Sequence, residues 1–337
     1  MRRDLTAPEP CVRVRVPAKV NLFLAVRGRR DDGFHELVTV FQSVSLYDSL
    51  RVGFAGPPGR GHHPAARRRM RVLLSHDAGD AIPSGADNLA VKAARVLGEV
   101  ANVIDLAVVD DRANTLASPD DKDVSTAPAT VIELRKGIPV AGGMAGGSAD
   151  AAGTLLALNE LWACGLSREE LRDIAARLGS DVPFCVVGGT ALATGRGTHI
   201  AQVLCRGTYH WVVCQAAEPL STAEVYRAWD RYCQPSEVEP DAVLQALRNS
   251  DAEALGAALT NDLEPAAFAL RPELADHKRA LREAGALGVV LSGSGPTLLA
   301  LAEDEAEAKR IAGEVAGLFS AVSVARSPVG GPEVTPC

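Results

Sequence analysis

Long apolar runs, paired-cysteine motifs and an excess of positive charge are all missing from this 337-residue chain. No apolar stretch approaches the ~20 residues that a membrane-spanning helix requires, so no membrane partner is expected. Arg2 and Arg3 are followed by Asp4, Pro8, Glu9 and Pro10 with no apolar segment behind them, so no secretory signal is expected. The seven cysteines, at 11, 164, 185, 205, 214, 233 and 337, are odd in number, scattered and free of any C-x-x-C pair. They are expected to be reduced thiols in a cytoplasmic protein, neither a disulfide frame nor a zinc site. The net charge of −7 implies no basic face, and no nucleic-acid partner is expected. The one basic cluster, Arg67-Arg68-Arg69 with Arg71, sits in a Gly/Pro/His-rich stretch and reads as a solvated loop.

What is present fits a two-domain enzyme. The length suggests two domains, and 47% apolar residues can build two cores. Val12, Val14 and Val16 alternate with Arg13 and Arg15, which predicts a half-wet strand continuing through Val20, Leu22 and Leu24. Residues 53–69 and 110–128 read as insertions between strands. Helices are expected at Leu89–Leu97, from a capping box at Ser167/Glu170 to Gly179, over most of 240–285, and at 304–318. Strands are expected at Ala129–Leu134, Val186–Leu192, His210–Gln215, Val289–Leu291 and Leu298–Ala302. This mixture predicts an α+β fold in two lobes, divided as residues 1–205 and 206–337. The Pro/Gly-rich tail from Ser327 to Cys337 reads as disordered.

The most specific stretch is Pro139-Val140-Ala141-Gly142-Gly143-Met144-Ala145-Gly146-Gly147-Ser148, which runs into an apolar helical pattern over Ala149–Trp162. Without a Cβ, these glycines let backbone N–H groups approach an anion, and the helix N-terminus adds free donors and a favourable dipole. Gly142 and Gly147 have the glycine spacing of a P-loop, but Ser148 stands where that loop needs its Lys. The G-x-G-x-x-G fingerprint fails as well: its third place from Gly142 is Met144, and its sixth from Gly293 is Leu298. A plain glycine turn for close helix packing is the alternative to a phosphate cradle.

Two further segments accompany this loop: Pro17-Ala18-Lys19-Val20-Asn21-Leu22-Phe23-Leu24, with Gly33-Phe34-His35-Glu36-Leu37 behind it, and Leu291-Ser292-Gly293-Ser294-Gly295-Pro296-Thr297. Together the three resemble the motifs of the GHMP kinases, the superfamily of galactokinase, homoserine kinase and mevalonate kinase. The first pair, with Gly179-Ser180-Asp181-Val182-Pro183-Phe184, resembles more closely the branch that acts on a cytidyl substrate. The resemblance runs from about Val12 to Ala302. It implies an N-terminal lobe like ribosomal protein S5 domain 2, a ferredoxin-like C-terminal lobe and a site between them. It implies ATP-dependent phosphorylation of the 2-hydroxyl of 4-diphosphocytidyl-2-C-methyl-D-erythritol, in the non-mevalonate route to isoprenoid precursors, with Mg2+ as cofactor.

Residue by residue, the resemblance makes Asp181 the general base and Lys19 its cationic partner. Taken alone, Asp181 beside Gly-Ser and Pro reads as a capping or solvated carboxylate, and Lys19 as a snorkelling strand residue. Phe34 and Tyr226 become the rings that stack on cytosine, His35 the reader of its edge, and Asn21 a contact near the reacting end. Gly293, Ser294 and Gly295 would close on substrate and phosphate from the second lobe; Asn88 would lie near adenine. Met144-Ala145 and Ala149 depart from the family pattern, leaving Ser148 as the loop's one hydroxyl, the candidate ligand of either a phosphate oxygen or the magnesium. The readings kept beside this one are another GHMP kinase of mevalonate or homoserine type, and a nucleotide-binding protein without catalysis. Oligomeric state is not legible.

Overall fold

The computed structural model describes residues 10–55, 70–83, 85–101, 106–110, 129–140 and 142–337, and two long antiparallel strands organise its first half. Strand β1 (Cys11–Arg29) alternates wet and dry only as far as Arg15; from Val16 to Val26 every residue is buried. The predicted alternation therefore ends early, because this part of the strand is covered on both faces. Strand β2 (His35–Ala55) pairs with β1 along its length, with register shifts at Pro17/Ala18, Asn21/Phe23 and Val26/Gly28. Further strands are β3 (Met70–His76), β4 (Leu106–Asp110) and β5 (Ala129–Arg135), the last entering the glycine loop. Arg71 lies within β3, so the basic cluster does not end in a loop; Arg67, Arg68 and Arg69 fall outside the described residues. The same holds for most of both expected insertions, although 53–55 belong to β2 and 110 to β4.

Two helices pack on this sheet, α1 (Leu89–Val100) and α2 (Gly146–Leu161). Helix α2 is buried almost all round, and a Cβ at Gly153 would stand 2.6 Å from Leu50 and 2.9 Å from Val16. That close approach seats the helix directly on β1 and β2. The capping box forms as predicted at the start of α3 (Arg168–Ala175). Where a strand is predicted over 186–192, the chain forms α4 (Val182–Val187), turns through Gly188 and Gly189 at positive φ, and begins β6 (Thr190–Gly195). The apolar run Val182–Val187 is short enough to suit either element, and Pro183 in the first turn favours the helix.

The chain continues through β7 (His199–Gln202), β8 (Tyr209–Gln215), α5 (Thr222–Tyr232), α6 (Asp241–Asn249), α7 (Ala252–Ala258), β9 (Thr260–Asn261), α8 (Glu264–Leu270) and α9 (Glu273–Glu283). It ends with β10 (Gly288–Leu291), β11 (Leu298–Ala302), α10 (Glu305–Val315), β12 (Ala321–Ser327) and β13 (Glu333–Pro336). The second sheet is antiparallel in the order β10-β11-β8-β12. Its residues alternate between two cores. Trp211, Val213, Val290 and Leu299 join the core of the first sheet, while Val212, Cys214, Val289 and Leu298 pack with α5, α8, α9 and α10. No helix among the described residues is long and apolar enough to cross a membrane.

The tail contradicts its predicted disorder. Strand β13 pairs with the start of β1, Val12 opposite Pro336, and Cys11 is joined to Cys337 by a disulfide. The expectation of seven free thiols is thus corrected to five: Cys164, Cys185, Cys205, Cys214 and Cys233. The glycines that suggested disorder serve close packing instead. A Cβ on Gly331 would lie 2.2 Å from the Val187 carbonyl oxygen, and one on Gly188 2.3 Å from Gly331 Cα.

Candidate active site

A cavity of about 610 Å³ opens among the first sheet, α5 and the turn joining β10 to β11, lined by residues from the three predicted motifs and from α5. Lys19, Asn21, Phe34, His35, Gly143, Ser148, Asp181, Tyr226, Gly293 and Ser294 all reach it. These residues are distant in sequence, so their convergence is a property of the fold.

Lys19 and Asn21 lie two apart on β1 and so project from one face, between the register shifts at Pro17/Ala18 and Asn21/Phe23. Lys19 Nζ stands 3.0 Å from Asp181 Oδ2, donates to Asn21 Oδ1 at 3.0 Å, and lies 4.8 Å from the centre of the Phe41 ring. Asn21 Nδ2 in turn donates to Thr39 Oγ1, whose hydroxyl donates to the Phe23 carbonyl. This chain of bonds leaves the lysine little freedom. Its side chain is 4% exposed, whereas that of Asp181 is 31% exposed. Asp181 occupies the N-cap position of α4, yet its side chain makes no capping bond. The capping alternative therefore fails, and the carboxylate faces Lys19 and the cavity.

The glycine loop meets the other lobe directly. Gly143 has φ +72°, and a Cβ there would fall 2.1 Å from the Ser292 carbonyl oxygen. Ser292 Oγ donates to Gly143 O, and Gly293 packs against that same oxygen. Met144 is fully buried, which anchors the loop, and its carbonyl accepts the Lys19 backbone N–H at 3.2 Å. Ala145 takes the left-handed conformation at φ 58°, and α2 begins at Gly146, three residues before the predicted start. No side chain caps this helix, so its first N–H groups remain available to an anion. Pro139, Val140, Gly142, Gly146, Gly147 and Gly295 do not line the cavity, and Ala141 falls outside the described residues. Asn88 caps α1, accepting from Ala90 N and donating to the Pro83 carbonyl; Leu89 beside it packs against Gly147.

Phe34 is 49% exposed at the cavity rim, with the Arg196 guanidinium 5.1 Å from its ring centre. Tyr226 stacks on His35, centroids 4.6 Å apart, so one face of this ring is already occupied. Burial and the Asp181 charge push the Tyr226 phenol up from its ordinary range.

Sequence reasoning missed a second charged cluster beneath the loop. Lys136 Nζ bonds Asp48 Oδ2 and, at 2.8 Å, Asp150 Oδ2, while Asp48 Oδ1 accepts the backbone N–H groups of Gly137 and Ile138. All three side chains are buried, and a Cβ on Gly146 would lie 3.3 Å from Lys136 Nζ. Burial first, and the Asp48 charge with it, push the Asp150 carboxyl up to about 8 despite Lys136. Asp48, the one charged residue between Glu36 and Arg51 on β2, was the available signal. Among the described residues no group of three His, Cys, Asp or Glu side chains could hold a metal ion.

Two family models match the chain: the GHMP kinases N terminal domain over residues 88–189 and the GHMP kinases C terminal over 243–321. A 4-diphosphocytidyl-2-C-methyl-D-erythritol kinase of Streptomyces coelicolor is 46% identical over 306 residues, covering 90% of this chain and 91% of the relative. One of Mycobacterium tuberculosis is 42% identical, covering 98% of this chain and 95% of its own. A crystal structure of 4-(cytidine 5'-diphospho)-2C-methyl-D-erythritol kinase superposes with a TM-score of 0.71 at 30% identity, covering 94% of this chain and all of that one. An L. major mevalonate kinase solved with R-mevalonate shares the fold alone, with a TM-score of 0.66 at 16% identity over 98% of this chain and all of its own. With its three motifs gathered around one cavity and close relatives along nearly its whole length, the chain belongs to the 4-diphosphocytidyl-2-C-methyl-D-erythritol kinase family of the GHMP kinases.

Proposed function

We infer that the chain transfers the γ-phosphoryl group of ATP to the 2-hydroxyl of 4-diphosphocytidyl-2-C-methyl-D-erythritol, in the non-mevalonate route to isoprenoid precursors. The observation that carries this reading is the 3.0 Å contact of Lys19 with an uncapped Asp181 in a cavity that also holds the glycine loop, Phe34 and His35. Phosphoryl transfer asks the protein mainly for positioning and charge stabilisation. The uncapped start of α2 and the backbone of Gly143 would hold the polyphosphate, with Ser148 the loop hydroxyl nearest to it. Asp181 would take the proton of the 2-hydroxyl, and Lys19 would hold that carboxylate and the reacting oxygen in place. Asn21 would fix the erythritol end; Phe34 would stack on cytosine while His35 meets its edge, with Tyr226, the second expected ring, packed on the imidazole. Gly293, Ser294 and Gly295 would close the site from the second lobe, and Asn88 would approach adenine.

Magnesium would supply charge neutralisation on the phosphates. Ser148 is the candidate ligand in the loop, and its single hydroxyl fits an ion held mostly by phosphate oxygens and water. A cytoplasmic location and a lobe boundary near residue 205 complete the reading. The absence of a C-x-x-C pair or a disulfide frame beyond the single Cys11–Cys337 bond is the ground for the former, and the second sheet's strands, all between 209 and 327, support the latter.

The test is ADP release with Mg-ATP and four acceptors: the cytidyl substrate, its uridyl analogue, mevalonate and homoserine. Turnover confined to the cytidyl compound is expected. Turnover on mevalonate or homoserine would overturn the substrate, and silence on all four would favour binding without catalysis.

A further inference from the structure

Three residues on one face of α5, Tyr226, Trp229 and Asp230, converge on the imidazole of His35 from the other lobe. Their i, i+3, i+4 spacing makes them neighbours on the helix surface. Tyr226 stacks on the ring at 4.6 Å with 25° between planes, Trp229 meets it edge-on at 5.5 Å, and Asp230 Oδ1 lies 2.6 Å from Nε2. The ring's plane, its edge and one nitrogen are thus all held by a single helix. A carboxylate oxygen so close requires a proton on Nε2, because an acceptor facing a bare lone pair would be repelled. Among the described residues Nδ1 has no hydrogen-bond partner, and it is not sealed from the cavity that His35 lines.

We propose that Asp230 is a positioning residue for base recognition: it locks His35 in the Nε2–H form and presents Nδ1 to the base edge of the acceptor. This rests on the assignment of the cytidyl substrate to this site. The consequence concerns specificity. With its proton on Nε2, the imidazole then offers a lone pair at Nδ1, which suits the exocyclic amino group of cytosine and repels the carbonyl oxygen that uracil carries at the same place. Asparagine at 230 would release this choice, since its amide can donate to Nε2 and move the imidazole proton to Nδ1. Asp230 belongs to the C-terminal half of the chain and His35 to the N-terminal half, so the base would be read only when both lobes are in place.

The experiment compares the wild-type protein with Asp230→Asn and Asp230→Glu. Binding of CDP and of UDP is measured by calorimetry, the kinetics of the cytidyl and uridyl acceptors by ADP release, and the His35 ring nitrogens by long-range 1H–15N NMR, assigned through His35→Gln. Expected is an Nε2–H signature in the wild type that is lost in Asp230→Asn. CDP affinity falls about tenfold in that variant, as for loss of one hydrogen bond to the base. KM for the cytidyl acceptor rises more than kcat falls, the preference over uridyl shrinks, and Asp230→Glu recovers most of it. Unchanged CDP affinity and base preference in Asp230→Asn would overturn the proposal, as would an Nδ1–H imidazole in the wild type. Failure of the reaction assignment looks different: no turnover of the cytidyl acceptor, while CDP binding and the NMR signature still respond to Asp230.

Discussion

Lys19 and Lys136 each bind carboxylates, and each touches the same glycine loop, one through the Met144 carbonyl and the other beneath Gly146. Their surroundings separate them. Lys136, Asp48 and Asp150 are shut in, with Asp48 accepting two backbone N–H groups as well as the ammonium. Lys19 is equally buried, but its partner Asp181 stays open to a cavity and has no backbone donor at its cap. A sealed ion cluster holds a loop in shape; an open one has a carboxylate left to act on something else. The difference lies in how many partners each carboxylate already has, not in residue type.

The sharpest way to break this comparison is at Asp181. Asp181→Ala should lower turnover by about 10²–10⁴-fold, the usual worth of a general base, while ATP still binds. Lys19→Ala combined with it should cost little more than either alone, because the two act as a unit. Full turnover in Asp181→Ala would end the base assignment.

Lys136→Met should behave in the opposite way. It strands the buried Asp48 carboxylate beside Asp150, so a stability loss of about 3–5 kcal/mol is expected in denaturant titration, with activity per folded molecule largely kept. Selective loss of turnover without loss of stability would make this cluster catalytic too.

A finer contrast comes from pH. The Asp150 carboxyl is raised to about 8 by burial, whereas an unfolded aspartate titrates near ~3.9. The folded state therefore holds the proton more tightly. Its contribution is complete below the unfolded value and is lost as pH rises through the folded one. The melting temperature of the wild type should fall between pH 4 and pH 8 relative to Asp150→Asn, which carries no titrating proton; parallel curves would remove Asp150 from the account.

The smallest effect concerns the loop between the two lysines. Ala145 sits at φ 58°, a conformation that costs a non-glycine residue about 1–2 kcal/mol. Ala145→Gly relieves that strain but frees the unfolded chain, so a net gain of about 0.5–1 kcal/mol in stability is expected by the same titration. A loss would mean that the Ala145 methyl group contributes packing that outweighs its backbone strain.

Much of this was legible in the chain alone because it is local. The loop glycines, the Ser167/Glu170 capping box and the helix that starts after Asn88 depend on neighbours within four residues, and turn and cap chemistry writes such features directly into the sequence. Lys19, Asp181, Phe34 and His35 were legible through motif resemblance, although their distances were not. Two local readings failed: the strand predicted over Val186–Leu192, where an apolar run suited either element, and the disordered tail, where glycines served a close approach to α4.

What the sequence determined by itself, then, was the menu: a glycine loop ahead of a helix, a lysine and an aspartate within family motifs, aromatic residues beside a histidine, and the two-lobed α+β class. Only the tertiary structure decided which charges pair. Asp48 with Lys136 spans 88 residues, His35 with Asp230 195, and Cys11 with Cys337 326. The physical reason is that a hydrogen bond, ion pair or disulfide depends on distance in space. At such separations that distance is set by how β1 and β2 register and how the second sheet folds back on them, which no local pattern encodes.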